Sequence, residues 1–477
     1  MIKWVILANA GRETYNSIYR GCGPMNEKRR RIINDSPLNE DGDYVLYWMQ
    51  HTQRSHDNKA LDEAVDIANR LKKPLTVLFV VDSDYPDANE RHFTFMLEGL
   101  KTLRRTLSEM GAAFEVRQGA FLSVLKDYIK DACALVIDKS YLRPLRTVKD
   151  ELSTFAAKQR RHTVEIESDV IVPVEVASNK LEYAARTLRP KLKKHVGDFL
   201  DLSEVRSLEV ASAGDSSLLD RETSLIVGDL GVTDIPPSPY FTGGEKEALA
   251  RLHHFLDERL AKYHKSNDPS SDLTSLLSPY FHFGQLSPVK VYLEVRRKGE
   301  EDGVPDKAVE AFLEQLLVRR ELAFNFVYYN KDGYDDFDKM TVSWAQKTMA
   351  AHADDPRPIL YDETDYLAYR THDPYFNAAM RQMVKTGHMH NTMRMYWGKK
   401  IIEWSASFKD AYDTILKLNN DYFIDGRDPV SYASVAWCFG RHDQAWKERS
   451  VFGKLRYMNK AGLDRKYDME DYVEKTE

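Results

Sequence analysis

The sequence predicts an α/β domain with a parallel, doubly wound sheet, followed by an all-α domain. Three observations carry that expectation. Short β-branched and aromatic runs alternate with helical stretches over residues 43–175; strand signals nearly vanish after residue 245; and 477 residues are too many for one ordinary core. Hydrophobic residues make up 43% and charged residues 30%, which is a globular balance rather than a disordered one. No apolar run approaches the roughly 20 residues that cross a bilayer, so no membrane is expected.

Taken in chain order, the first segment is a decoy. Lys3, then Trp4-Val5-Ile6-Leu7 and Ala8-Asn9-Ala10, imitate a secretion signal with a cleavage site, but the apolar stretch is about half the minimum for such a segment. Residues 1–42 are read as an N-terminal arm and the protein as not secreted. Residues 44–49, 75–82, 114–118, 134–139 and 164–171 are expected strands, and 58–71, 90–110, 121–132 and 145–158 expected helices. Strand, helix, strand at this pace means βαβ units with helices on both faces of the sheet. No G-x-G-x-x-G follows the first strand, so the dinucleotide fingerprint is absent, and a ligand here would sit at a switch point outside the strand C-termini. Residues 176–244 are expected to be an interdomain linker. Ser, Gly, Asp and Pro dominate 207–244, ending in Pro236-Pro237-Ser238-Pro239 and Gly243-Gly244, which predicts a long connection rather than a packed element. Within 245–477, apolar residues recur at helical spacing in 248–263, 309–329, 377–384 and 388–404.

A net charge of −6 argues against nonspecific coating of nucleic acid. Basic runs exist (Lys28-Arg29-Arg30-Arg31, Arg189-Pro190-Lys191-Leu192-Lys193-Lys194, Arg319-Arg320), but most such runs are solvated faces, so composition leaves DNA binding undecided. Cys22, Cys133 and Cys438 can form neither a disulfide framework nor a four-cysteine metal site; no metal is expected, and a reducing compartment fits.

Five of the seven tryptophans follow residue 340, and any one of them is ordinarily core. Trp397 and Trp404, however, lie seven apart on one expected helix, roughly 10 Å along its axis, on a face shared with His390, Arg394 and Ile401. An arginine beside two indoles suits a polar cofactor better than an oily core. Thr274-Ser275-Leu276-Leu277-Ser278-Pro279-Tyr280 is expected to open a helix with three hydroxyls, which serve either as caps or as donors to an anion such as a pyrophosphate.

With its continuation Phe281-His282-Phe283-Gly284, this segment resembles the flavin-phosphate motif of the photolyase and cryptochrome superfamily. Other blocks resemble its class II cyclobutane pyrimidine dimer photolyases: Tyr47-Trp48-Met49, Glu182-Tyr183-Ala184-Ala185, Arg320-Glu321-Leu322-Ala323, Thr371-His372-Asp373-Pro374, Arg394-Met395-Tyr396-Trp397, Asp425-Gly426-Arg427-Asp428-Pro429 and Arg456-Tyr457-Met458-Asn459. The similarity runs from about Met25, where the functional protein is expected to start, to the end.

The resemblance implies light-dependent repair of pyrimidine dimers in DNA by electron transfer from photoexcited reduced FAD to a flipped-out dimer, in a monomer located in the cytoplasm, with the nucleoid, or in the nucleus. It implies an antenna chromophore of the 8-hydroxy-5-deazaflavin type in the α/β domain. Tyr263, Thr274, Ser275, Leu276, Leu277 and Ser278 would hold the FAD phosphates and ribityl chain; Arg394 and Asp425 would pair beside the ring system, and Asn419 would face its N5. Trp397 and Trp404 would carry the photoreduction electron. Trp437, Trp446, Gln315 and Asn391 would meet the dimer. Apart from the resemblance, Arg441, Lys447 and Arg449, which flank the Trp437–Trp446 segment, are expected to neutralise DNA phosphates. Some residues depart from the family. Phe376 stands for the outer tryptophan of the electron chain, Gln315 for a lesion-binding glutamate, His264-Lys265-Ser266 for a segment with a lesion-contacting arginine, Lys59 for a tryptophan and Asn391 for a glycine. These departures keep two alternatives open: a cryptochrome-type photoreceptor without repair, and a damage-binding flavoprotein without turnover.

Overall fold

The computed structural model describes residues 25–203, 206–232, 235–301 and 303–477; the expectations about residues 1–24 lie outside them. Six strands form one sheet: β1 (Arg30–Ile32), β2 (Tyr44–Trp48), β3 (Leu75–Val81), β4 (Ala113–Gln118), β5 (Ala132–Asp138) and β6 (His162–Ile166), in the order β1-β6-β5-β2-β3-β4. The β2–β3, β3–β4, β2–β5 and β5–β6 pairs are parallel, in the expected manner. All residues of β3 and β5 are buried, as central parallel strands covered on both faces require. Val45, Tyr47, Val77 and Phe79 face helices α1 (Lys59–Leu71) and α2 (Glu90–Glu109), whereas Leu46, Trp48, Leu78 and Val80 face α3 (Phe121–Ile129) and α4 (Arg143–Lys158). That alternation with period two makes the sheet doubly wound.

The arm departs from expectation. Residues 30–32 pair antiparallel to β6 as an edge strand, Arg30 opposite Ile166. Their anchor is Arg29, buried, with its guanidinium donating to the carbonyls of Glu167, Val170, Ile171 and Phe199 at 2.7–3.2 Å. A basic tetrad hid a strand because its decisive partners are about 140 residues away. The last strand ends at Ile166 rather than 171, because Ile171 N donates to the buried Glu321 carboxyl of the helical domain.

The linker is more structured than its composition suggested. It carries α5 (Ala185–His195) and α6 (Thr223–Leu230), and α6 buries Ile226, Val227 and Leu230. Between them the chain covers the free edge of β4: Val116 N donates to Asp215 O (3.1 Å) and Asp215 N to Glu115 Oε1 (3.1 Å). An exposed edge strand invites pairing with other chains, and this segment removes it.

The helical half contains α7 (Glu245–His254), α8 (Ser278–His282), α9 (Pro288–Lys298), α10 (Asp306–Leu313), α11 (Arg320–Tyr329), α12 (Pro374–Thr386), α13 (Asn391–Trp404), α14 (Phe408–Tyr422) and α15 (Pro429–Cys438). A π-helical segment, Glu314–Arg319, joins α10 to α11; such insertions recur at functional sites because they re-aim side chains. The two halves meet closely at Gly284. Its φ is +63°, and a Cβ there would fall 1.8 Å from His51 O, so both the backbone angle and the close approach require glycine.

Candidate active site

A cavity of about 540 Å³ opens between α8, the π segment, α13, α14 and α15, within the size range of small-molecule sites. Of the residues expected to hold FAD, carry its electron or meet the dimer, Tyr263, Ser275, Ser278, Gln315, Asn391, Arg394, Trp397, Asn419, Asp425 and Trp437 line it. Five others do not. Leu277 is fully buried in the core, Leu276 takes a left-handed φ of +58°, and Thr274 offers its carbonyl to Arg259 Nη1 (2.9 Å). Trp404 and Trp446 stand apart, as described below.

The hydroxyl motif opens α8, but not as caps. The N-cap position is Leu277, without a side-chain cap bond, and Pro279 supplies the fixed φ of a first turn. Ser278 instead bonds the Asp425 carboxylate, and Ser275 faces the cavity. Asp425 accepts twice from Arg394 Nη2, at 3.0 and 3.2 Å, while Arg394 Nε donates to Met389 O (3.0 Å). The guanidinium lies 3.8 Å from the centre of the Phe423 ring, and among the described residues its Nη1 has no partner. Burial works to raise the Asp425 carboxyl, but Arg394 and Ser278 hold it below its ordinary value. His388 is pushed down to about 3, first by burial and then by Arg394, so it is neutral. His390 does not share the cavity face as the helical spacing suggested. It caps α13, accepting from Thr392 N (3.2 Å), and its Nε2 meets Ser266 O (2.8 Å).

Asn419, on α14, is 5% exposed and donates Nδ2 to Asn420 Oδ1 (3.0 Å); no described donor reaches its own Oδ1. Trp397 donates Nε1 to Met380 Sδ (3.0 Å). Trp404, one heptad on, lies outside the cavity among Phe376, His372 and Tyr361, with ring centres 5.1–5.3 Å away. Trp437 has Lys399 at 5.4 Å and Arg456 at 5.2 Å from its ring centre. Arg456 also covers Trp446 at 4.2 Å, and Trp446, 41% exposed, forms an outer rim rather than the wall. Arg456, Lys399 and His442 were not singled out from the sequence. The signal for Arg456 was present in the Arg456-Tyr457-Met458-Asn459 block.

Several expected placements need correction. Arg441 is 5% exposed and packed 4.9 Å from the Phe326 ring centre, so it cannot meet a phosphate, whereas Lys447, Arg449 and Lys454 are exposed. His264, Lys265 and Ser266 do not line the cavity; Arg319 does, 51% exposed and 3.3 Å from Glu314. Lys59 is buried between Asp57 (3.1 Å) and Asp201 (3.0 Å).

A second, narrower cavity of about 90 Å³ lies outside the strand C-termini, beyond the ends of β2 and β3, beside the expected switch point rather than in it. The crevice between β2 and β5, where the strand order reverses, is filled by Asp138, whose Oδ2 accepts from the backbone N–H groups of Gln50, His51 and Thr52 at 3.1 Å each. Beside it, four residues lining this cavity carry buried polar atoms without partners: His51 Nε2, Gln53 Oε1, Arg320 Nη1, and Arg427 Nε and Nη2. Unpartnered buried groups are uncommon, and such a cluster fits a polar ligand.

Comparison with known proteins bears on the family and the fold. Residues 45–209 match the model of the DNA photolyase family. The chain is 44% identical to the deoxyribodipyrimidine photo-lyase of Methanothermobacter thermautotrophicus, over 94% of this chain and 98% of that one. It is 38% identical to the protein so named from Arabidopsis thaliana (92% and 89%) and 36% identical to that from Potorous tridactylus (94% and 85%). Among solved structures it superposes on a class III photolyase from Agrobacterium tumefaciens (TM-score 0.69, 19% identity, 91% and 86% covered) and a cryptochrome from Synechocystis (TM-score 0.71, 16% identity, 90% and 87% covered). An archaeal photolyase from Sulfolobus tokodaii, whose crystal structure holds two FAD molecules, matches at TM-score 0.67 and 16% identity, over 90% and 89%. These distant structures bear on the fold.

Proposed function

This chain belongs to the DNA photolyase family, an enzyme family, and from that premise we propose that it is a class II enzyme that opens cyclobutane pyrimidine dimers in DNA under light, using FAD. The observation that carries the reading is the wall of the larger cavity, where hydroxyls not used as caps, a partly buried arginine–aspartate pair, a buried amide and two indoles converge. The donor set fits FAD. Ser275, Tyr263 and the Nη1 of Arg394 are donors for a pyrophosphate and polar chain, Ser278 holds the Asp425 carboxylate in place, and Asn419 Oδ1 is an acceptor for a ring N–H.

FAD, when bound, supplies light absorption and one-electron transfer. The protein's own residues do the rest. Asp425 neutralises Arg394, so this pair presents oriented donors without a net charge. Phe423 and Trp397 exclude water from the interior end. Photolyases are among the enzymes that extrude their target from the duplex; Trp437 offers a flat surface for an extruded dimer, and Trp446 with Arg456 lines the rim it passes. The Gln315 and Asn391 amides donate to pyrimidine carbonyls at any pH and hold no proton to transfer. For the α/β domain we propose an antenna role, with a chromophore of the 8-hydroxy-5-deazaflavin type satisfying the unpartnered atoms of His51, Gln53, Arg320 and Arg427. At about 90 Å³ the cavity must widen to admit a three-ring pigment.

The test is a pair of measurements: identification of the cofactor released on denaturation, and dark binding to oligonucleotides with and without a single dimer. One FAD per chain with preference for the dimer supports the reading. FAD without that preference favours a photoreceptor, and no FAD overturns the proposal.

A further inference from the structure

The two indoles bordering the larger cavity sit in different electrostatic surroundings. Trp397 has the Met380 thioether on its Nε1 and Phe423 at 6.2 Å; among the described residues no cation lies over its ring. Trp437 has two cations, Lys399 at 5.4 Å and Arg456 at 5.2 Å. Arg456 is neutralised by Asp443 through hydrogen bonds of 2.8 and 2.9 Å. Lys399 is not neutralised. It is 0% exposed, its Nζ donates to the Cys438 carbonyl, and no described carboxylate forms an ion pair with it. A lysine buried this deeply is costly to fold, and neither cofactor binding nor dimer recognition as proposed above uses it.

We propose that Lys399 is a positioning charge that protects Trp437 from oxidation, so that the electron drawn into photoexcited flavin leaves Trp397 instead. The inference rests on the FAD reading. Removing an electron from an indole leaves a positive ring, and an ammonium over that ring opposes the change by Coulomb repulsion, strongly where water is excluded. Burial lowers the Lys399 ammonium to about 8 and Arg456 adds to this, while Cys438 and Asp443 oppose it, so the charge is largely present at neutral pH. One electron leaves the Trp397 indole, which becomes a radical cation, and enters the photoexcited oxidised flavin. A thiol in the buffer returns an electron to the indole and is itself oxidised towards a disulfide. Trp437 stays neutral and keeps its packing surface for substrate.

The experiment uses flavin-loaded protein. Photoreduction is followed by transient absorption in Trp397→Phe, and in that background with Lys399→Met, Lys399→Gln (which retains a donor for the Cys438 carbonyl) or Lys399→Arg. Bound flavin and thermal melting are measured for each. Trp397→Phe should slow photoreduction at least tenfold. Either neutral substitution should recover at least tenfold of that loss and Lys399→Arg should not; adding Trp437→Phe should abolish the gain. The proposal is overturned if Trp397→Phe is as fast as wild type. It is also overturned if both neutral variants keep their flavin yet stay as slow as Trp397→Phe, or if the gain survives Trp437→Phe. A wild-type chain that binds no flavin is recognised from its absorption spectrum before illumination and overturns the cofactor reading along with this one.

Discussion

Replacing Asp425 with asparagine keeps the shape of the cavity wall and removes the charge opposite Arg394. Removing one partner of a fully buried ion pair costs about 3–5 kcal/mol, and a surface pair contributes about 0–1 kcal/mol. Here the side chains are 21% and 11% exposed, joined by two hydrogen bonds, with the guanidinium against Phe423. That places the expected loss near the buried limit, at about 2–3 kcal/mol. If the unpaired arginine disorders the wall, the loss appears in flavin affinity, where 1.4 kcal/mol is tenfold, so Kd should rise about 30- to 140-fold. Fluorescence titration of flavin into flavin-free protein reads this directly, and urea unfolding reads any part that falls on stability. The pH dependence is an independent check. The folded carboxyl is held below its ordinary value, so its contribution is complete above the ordinary carboxylate range and is lost as pH falls through the depressed one. Wild type and variant should therefore converge in acid. A Kd within twofold of wild type, with unchanged unfolding, would refute the reasoning.

Other expectations follow from the same geometry. Gln315→Ala should weaken dark binding of dimer DNA by about 1–3 kcal/mol, measured by titration, whereas Gln315→Glu should introduce a repair yield that rises as pH falls. Burial raises the Glu321 carboxyl to about 8 against the backbone donors Ile171 and Val172; the native state therefore holds an extra proton, and stability should fall as pH rises from the ordinary carboxylate value towards 8. Glu321→Gln should flatten that profile in melting curves from pH 5 to 9. Replacing Lys447, Arg449 and Lys454 together should make the salt dependence of duplex binding shallower, by about 0.9 for each phosphate no longer neutralised, and Arg441→Gln should leave the slope unchanged.

The parts of this molecule legible in the sequence are those set by local periodicity. The central strands, α1 to α4 and the change to helices after residue 245 each depend on neighbours a few positions away. The parts that were not legible depend on distant partners. Residues 30–32 become a strand because Arg29 reaches carbonyls at 167–171 and 199, and α6 was masked by polar residues around its buried Ile226, Val227 and Leu230. At the site, heptad spacing put Trp397 and Trp404 on one face, but α13 is buried almost all round, so sharing a face did not mean sharing a cavity. Nothing in the sequence singled out Lys399, because a buried lysine leaves no periodic signature. The Ser275 and Ser278 hydroxyls, ambiguous between capping and ligand binding in the sequence, are resolved against capping by the position of Leu277 at the helix start.

The central claim is that the larger cavity is a light-driven dimer-opening site, and the most direct measurement is product formation per bound flavin. Protein carrying chemically reduced FAD, held without oxygen so that neither Phe376 nor Trp397 limits the outcome, is mixed with an oligonucleotide containing one thymine dimer and illuminated with blue light. The account predicts restoration of intact thymines over several turnovers per flavin, none in darkness, and a marked loss in Asp425→Asn. Specific dark binding without any light-dependent opening, in protein confirmed to hold reduced FAD, would contradict it.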